Sequence, residues 1–300
     1  MKAIAITVNN FAAGTLSRLG LLSELVKARL TLLVLVTTGV GFALGASGPI
    51  LGAALVHVLV GTALLAGGAA TLNQWIERDL DARMRRTRDR PLPAGRIDPG
   101  AALGVGVTAV ALGVGYLAVM SQPLAAVVGA VTAAVYLLVY TPLKTRSSFN
   151  TIVGAVPGAL PPVIGWAAAR GDLSRGAWAL FAIQFFWQVP HFLAIAWLYR
   201  DEYAGAGFRM LPAVDPAGRR TAVHMVSHAV ALTVASLAPV AFGLCGRLYA
   251  VGALGLGMGF VALALRFASR RDDRAARGVF LASIIYLPIL LGLMIWDKVD

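Results

Sequence analysis

Apolar residues in this chain are gathered into runs of about 20, the length that spans a bilayer core, and the runs are separated by short polar loops. This feature constrains the fold more than any other. In hydrocarbon every backbone N–H and C=O must be paired within the protein, so such runs must be helices. A membrane β-barrel would instead alternate apolar and polar positions, and these runs do not. The pattern predicts nine helices, approximately 30–47, 51–76, 100–119, 122–142, 151–169, 177–198, 222–244, 247–267 and 278–296. The expectation is an all-α integral membrane protein: an N-terminal segment 1–29, one transmembrane domain 30–296 and a tail 297–300. Only 13% of residues are charged, and the mean hydropathy is +0.77; soluble domains carry about 25% charged residues. The apolar piece Ala3–Val8 is broken by Asn9 and Asn10, so no cleaved signal peptide is expected. Cys245 is the one cysteine, which excludes an intrachain disulfide and a metal site built from cysteines.

The net charge of +12 would point to nucleic acid in a soluble protein. Here no basic stretch is interleaved with stacking aromatics, as such binding needs. The basic residues follow topology instead. With the N-terminus on the cytoplasmic side, the N-terminal segment and the loops after helices 2, 4, 6 and 8 hold nearly all of the 26 Lys and Arg. Only Arg170, Arg175, Arg247 and Lys298 fall on the other side. Cytoplasmic loops carry the excess of Lys and Arg, so the expected orientation in a bacterial inner membrane is N-terminus in and C-terminus out.

The most informative segment is Thr71–Arg96, TLNQWIERDLDARMRRTRDRPLPAGR. Asn73, Glu77 and Asp81 stand at i, i+4 and i+8, on one face of a helix. One amide oxygen and two carboxylates on a shared face suit Mg²⁺, a cation that takes oxygen ligands and is commonly shared with substrate phosphates. Asp79 lies on another face and is expected to pair with neighbouring arginines. Arg83, Arg86 and Arg90 follow, and arginine offers forked donors matched to phosphate oxygens. Ionisable groups in an otherwise apolar helix mark function. Arginines alone would read as an ordinary basic loop.

Two more segments fall on the same side. Asp201 and Glu202, beside Tyr203, end helix 6 and are candidates for a second Mg²⁺. Lys144 and Arg146 follow helix 4 and could reach the same phosphates. Gly154, Pro157, Gly158, Pro161 and Pro162 crowd helix 5, read either as close packing or as a kink lining a cavity. Among the histidines, His57 reads as a polar packing residue. His191 follows Pro190, which should distort helix 6, and can face a cavity. His224 and His228 share a helix face, where interfacial placement and metal ligation explain them equally well; two histidines without a third ligand are a weak metal signal.

These residues resemble the UbiA superfamily of membrane prenyltransferases, from about Val26 to helix 9. Asn73, Glu77 and Asp81 match an N-x-x-x-(D/E)-x-x-x-D pattern, followed by Met84, Arg86, Thr87, Arg90, Pro91 and Leu92. The second motif is Tyr140, Thr141 and Lys144, continuing through Asn150, Gly154, Gly158, Pro161, Pro162, Gly165 and Trp166. The third is Trp187-Gln188-x-Pro190-His191-Phe192, then Tyr203, Ala206-Gly207 and Met210-Leu211-Pro212. This W-Q-x-P-H-F block is similar to the haem-modifying branch and is generally missing from the quinone-type branch. Two departures stand out. Glu77 occupies a place where many members carry Asp. The order Asp201-Glu202-Tyr203 replaces the usual Glu-Asp-Tyr, and no acid follows until Asp215, so a second metal set has fewer ligands.

The resemblance implies a helical bundle with a central cavity open to the cytoplasmic side. It implies an Mg²⁺-dependent transfer of farnesyl from farnesyl pyrophosphate to a vinyl group of haem B. Asn73, Glu77, Asp81 and Lys144 would be catalytic. Arg83, Arg86, Arg90, Lys144 and Arg146 would bind pyrophosphate, and His191 would contact haem. The implied partners are the lipid bilayer and haem A synthase or terminal oxidase assembly proteins. Two rival readings are a prenyltransferase acting on a quinone precursor and an ion-coupled transporter. The acids gather at helix ends beside arginines rather than near the membrane midplane, which argues against transport.

Overall fold

The computed structural model describes residues 20–48 and 52–299 of the 300-residue chain. Lys2, Arg18 and the Ala3–Val8 piece lie outside the described residues. Among the described residues, nine helices are long and apolar enough to cross a membrane: α1 Ala28–Gly45, α2 Gly52–Asp81, α3 Pro99–Met120, α4 Pro123–Leu143, α5 Asn150–Arg170, α6 Arg175–Leu198, α7 Arg219–Ala241, α8 Arg247–Arg270 and α9 Asp273–Trp296. The number agrees with the hydropathy reading, and most boundaries fall within three residues of it. The larger differences have local causes. Helix α2 runs on to Asp81 because the backbone ladder needs no apolar side chains; apolarity stops before the helix does. Its 30 residues rise about 45 Å, well beyond a ~30 Å hydrocarbon core. Helix α9 starts at Asp273 because the Asp272 carboxylate accepts the Ala275 N–H at 2.7 Å, an N-cap upstream of the apolar run. Helix α7 begins early for a similar reason: Asp215 accepts both the N–H and the hydroxyl of Thr221.

Lipid cannot drive helices together by the hydrophobic effect, so close backbone packing must. The sequence supplies glycines where it happens. A Cβ on Gly68 of α2 would meet the Val110 nitrogen of α3 at 2.7 Å, and one on Gly113 of α3 would meet the Leu65 nitrogen of α2 at 2.6 Å. Between α1 and α5, a Cβ on Gly41 would overlap the Pro162 carbonyl and one on Gly165 the Thr38 carbonyl. The outward faces stay apolar, with Leu32, Val119, Leu138, Val251 and Ile285 all exposed. Trp166, Tyr249, Phe260 and Phe267 fill the interior.

Two helices are irregular. Helix α5 is broken between Ala159 and Pro161, where the proline lacks a donor for the ladder. Helix α4 becomes a π-helix over Val135–Tyr140 before a last α-turn at Thr141–Leu143. Such π segments recur at functional sites. Pro190 does not break α6, which stays helical from Arg175 to Leu198.

Candidate active site

A cavity of about 380 Å³ opens between α1, α2, α4, α5 and α6. It runs from Thr62 and Leu65 on α2 to Asn73, Glu77 and Asp81 near the end of that helix, so one helix supplies both its apolar depth and its acidic end. Asn73, Glu77 and Asp81 are all buried, at 1%, 5% and 2% exposure. A buried acid needs a partner, and each member of the face has a different one. Lys27 donates to Asn73 Oδ1 at 2.7 Å. The Lys144 ammonium straddles the Glu77 carboxylate, at 2.7 and 3.0 Å from its two oxygens. Arg90 donates to Asp81 Oδ2 at 2.6 Å.

These cations come from three places. Lys27 sits at a sharp bend before α1, with a left-handed backbone (φ 49°) that is uncommon for a residue with a Cβ. The bend is held by Gln74 of α2, whose Nε2 donates to the Glu24 and Leu25 carbonyls. Burial first, then the charges of Arg90 and Lys144, pull Lys27 from the ordinary lysine value to about 7. Burial works against the Lys144 charge more strongly than any one neighbour works for it, but Glu77, Tyr140 and Tyr136 together outweigh it; Lys144 is held above its ordinary value. Its ammonium also lies 4.6 Å from the Tyr140 ring centroid. Arg86 completes the rim. Its guanidinium donates to the Tyr203 hydroxyl at 3.0 Å and lies over the Tyr199 and Tyr203 rings. Cations outnumber carboxylates here, so this end attracts an anion.

The Asn73 amide is oriented by the π-helix. Thr141 gives both its N–H and its hydroxyl proton to the Tyr136 carbonyl. Its oxygen is then free to accept from Asn73 Nδ2, at 3.2 Å. The amide oxygen of Asn73 is thereby turned towards Lys27, placed as a ligand rather than a donor.

The opposite wall is neutral and aromatic. Trp187, Gln188 and His191 of α6 line it. The Trp187 and His191 rings stack at 4.9 Å and 18°. Gln188 donates to the Ala155 and Gln184 carbonyls, and its Oε1 occupies the space where a Cβ on Gly158 would stand. Gly154, Pro157, Gly158 and Pro161 also line the cavity. The broken helix α5 therefore packs closely and lines the cavity at once.

Of the expected site residues, the structure brings Asn73, Glu77, Asp81, Arg86, Arg90, Lys144 and His191 to one cavity. It does not bring Arg83, Arg146, Asp201 or Glu202 to its wall. Arg83 and Arg146 are exposed; past Asp81 the chain turns so that Met84 and Arg90 line the cavity, with Arg86, itself exposed, at its rim. Asp201 and Glu202 lie in the first turn of the short helix Arg200–Ala206, where acids complement the helix dipole. Glu202 Oε2 lies 3.4 Å from the Arg86 N–H, behind the rim. Asp79 is exposed beside Arg78, and His57 is bonded to the Tyr116 hydroxyl, both as expected. His228 is taken up by the His224 carbonyl at 2.8 Å. No cluster of three His, Cys, Asp or Glu is placed to hold a metal among the described residues. The Asn73 face has two carboxylates and an amide, a set that fits a cation shared with a bound phosphate.

Sequence reasoning missed Lys27 and Tyr136, and gave Thr141 no role beyond membership of the second motif. For Tyr136 the signal was spacing: Tyr136, Tyr140 and Lys144 stand at i, i+4 and i+8 before the basic loop. Lys27 was counted only as a topogenic charge.

An acidic helix face ringed by lysine and arginine, beneath an apolar cavity within nine helices, is the arrangement of a membrane prenyltransferase. Residues 34–286 match the UbiA prenyltransferase family, and the chain belongs to that family. A protohaem IX farnesyltransferase of Solibacter usitatus (strain Ellin6076) is 48% identical over 284 residues, which cover 92% of this chain and 97% of that protein. The fold is similar to the solved structure of a digeranylgeranylglyceryl phosphate synthase (TM-score 0.79, 14% identity, covering 94% of this chain and 98% of that one). It is also similar to a UbiA homologue from Archaeoglobus fulgidus bound to DMAPP and Mg²⁺ (TM-score 0.64, 15% identity, covering 91% and 98%).

Proposed function

We propose that this chain transfers farnesyl from farnesyl pyrophosphate to a vinyl group of haem B, giving haem O, a step towards haem A. The observation that carries the reading is the two-ended cavity: an acidic and basic end for a pyrophosphate, and a neutral aromatic end with the His191 imidazole on its wall for a macrocycle. The close relative from Solibacter usitatus carries the name of this activity.

Asn73, Glu77 and Asp81 would hold Mg²⁺, whose charge would stabilise the leaving pyrophosphate. The A. fulgidus homologue of similar fold, bound to DMAPP and Mg²⁺, supports an Mg²⁺ beside the prenyl pyrophosphate. Lys144 and Arg90 already sit 2.6–3.0 Å from these carboxylates, and Arg86 stands at the rim; when pyrophosphate enters, they turn to its oxygens. These donors stabilise the charge that builds there as the C–O bond to farnesyl breaks. Arg83 and Arg146 guide the anion from the surface. A second ion would draw on Asp201 and Glu202, behind Arg86. The terminal vinyl carbon bonds to C1 of the allylic cation. The new cation beside the porphyrin ring takes water, which keeps its oxygen as the hydroxyl and releases one proton. The apolar walls delay water until that second step. The cavity mouth is assigned to the cytoplasmic side by the distribution of Lys and Arg.

The direct test supplies membranes containing the protein with haem B, radiolabelled farnesyl pyrophosphate and Mg²⁺. Label should appear in the extracted haem. Absence of labelled haem, with prenylation of 4-hydroxybenzoate instead, would overturn the reading in favour of the quinone-type branch.

A further inference from the structure

We propose that Ser283 is the positioning residue of the acceptor end: it fixes the His191 imidazole in the Nδ1-protonated tautomer and so presents a bare Nε2 to the iron of the haem substrate. The inference rests on the haem-farnesylating reading of this cavity.

The assignment follows from counting protons. Ser283 is fully buried on α9. Its hydroxyl oxygen lies 2.6 Å from the Phe280 carbonyl and 2.7 Å from His191 Nδ1. A carbonyl oxygen only accepts, so the single hydroxyl proton of Ser283 goes to Phe280. The bond to His191 must then be donated by Nδ1–H. A neutral imidazole has one N–H, so Nε2 keeps its lone pair. No protein group takes Nε2 among the described residues, while His191 lines the cavity.

The ring is also held in orientation. The Ser283 carbonyl accepts the Trp187 indole N–H at 2.8 Å, and the Trp187 ring stacks on His191. Phe280 and Phe192 lie 5.4 Å away on other sides. One buried serine therefore holds both residues of the aromatic wall, one through its hydroxyl and one through its backbone. A neutral nitrogen donor fixed by a second hydrogen bond is how imidazole is presented to a metal. The ligand class is an iron porphyrin, distinguished from its metal-free analogue by a bond to the metal.

The test uses the purified full-length protein in nanodiscs. Haem B is titrated by Soret absorbance into the native chain and into Ser283→Ala, Ser283→Thr and His191→Ala. Metal-free protoporphyrin IX serves as the second probe. The native chain should give a histidine-ligated spectrum. Ser283→Ala should weaken haem binding about ten-fold, the lower end of effects from removing a ligand's outer partner, and shift the spectrum. Ser283→Thr keeps the hydroxyl and should restore both. The KM for farnesyl pyrophosphate, measured on the same preparations, should not move, which a general loss of folding would not allow. Native spectrum and affinity in Ser283→Ala would overturn the proposal. So would a native histidine-ligated spectrum in His191→Ala, or equal affinity for the two porphyrins. Failure of the function reading looks different: histidine ligation present, but no farnesyl transferred to haem.

Discussion

The two ends of the cavity are built on opposite plans. The proposed pyrophosphate end stands on one stretch of one helix, Asn73 to Asp81, and its charges are matched by cations from the α1 bend, the α4 end and the Arg86–Arg90 turn. The proposed haem end has no charge. It stands on α6 and is aligned by Ser283, 92 residues further along the chain from His191. A charged site can draw its partners from several elements, because ion pairing is strong over several ångströms and tolerates long flexible arms. A neutral donor has only direction to offer, so it needs rigid support from another helix. The difference predicts that the two ends fail separately.

The largest effect belongs to the charged end. Glu77→Gln combined with Asp81→Asn removes both carboxylates while keeping shape, and should lower label transfer by about 10³-fold or more, given that one electrostatic group at a reacting centre is worth 10²–10³. Haem binding followed by Soret absorbance should be unchanged. Transfer retained at near-native rate would show that the metal is held elsewhere. His191→Ala tests the other end. Transfer should fall about 10²-fold, the upper range for disturbing a metal contact, with no change in the KM for farnesyl pyrophosphate. If that KM rose instead, the ends would not be independent.

Much of this division was legible in the sequence. Nine helices follow from run length, because lipid leaves the backbone no other choice. The acidic face follows from i, i+4, i+8 spacing. What the spacing could not show was how each polar group is partnered. Thr141 orients Asn73 only because α4 becomes a π-helix, and no residue pattern announces that change. Lys27 looked like one more cytoplasmic lysine. Its place in the site depends on the Gln74 tether, a contact between residues 49 and 50 positions apart. Asp201 and Glu202 were placed on the right helix end, but which way a side chain faces past that end is set by a turn at Tyr199, not by helical periodicity.

Lys27 gives a third and smaller effect. Lys27→Met keeps the length of the arm and removes the ammonium that reaches Asn73. Loss of one charge-assisted hydrogen bond is worth roughly 1.5–3 kcal/mol, of which water entering the mouth recovers part. The KM for farnesyl pyrophosphate should rise about ten-fold, with the haem spectrum unaltered. An altered spectrum would show that Lys27 reaches the acceptor, which would blur the boundary between the ends.

The smallest expected effect is at Glu202, and it decides how far the charged end extends. In this structure Glu202 lies against the backbone N–H of Arg86 and not on the cavity wall. If its part is to support the Arg86 turn, Glu202→Gln keeps an oxygen acceptor there and should lower transfer only a few-fold, in line with the modest net worth of one exposed hydrogen bond. Its Mg²⁺ dependence should match that of the native chain. If Glu202 instead swings inward to hold a second ion once pyrophosphate is bound, the same variant should lose activity on the scale of the Glu77→Gln, Asp81→Asn pair and need more Mg²⁺ to reach half-maximal rate. A Mg²⁺ titration of label transfer separates the two, because a supporting residue lowers the plateau while a ligand moves the midpoint. A shifted midpoint would make the pyrophosphate end a site of two helix ends rather than one.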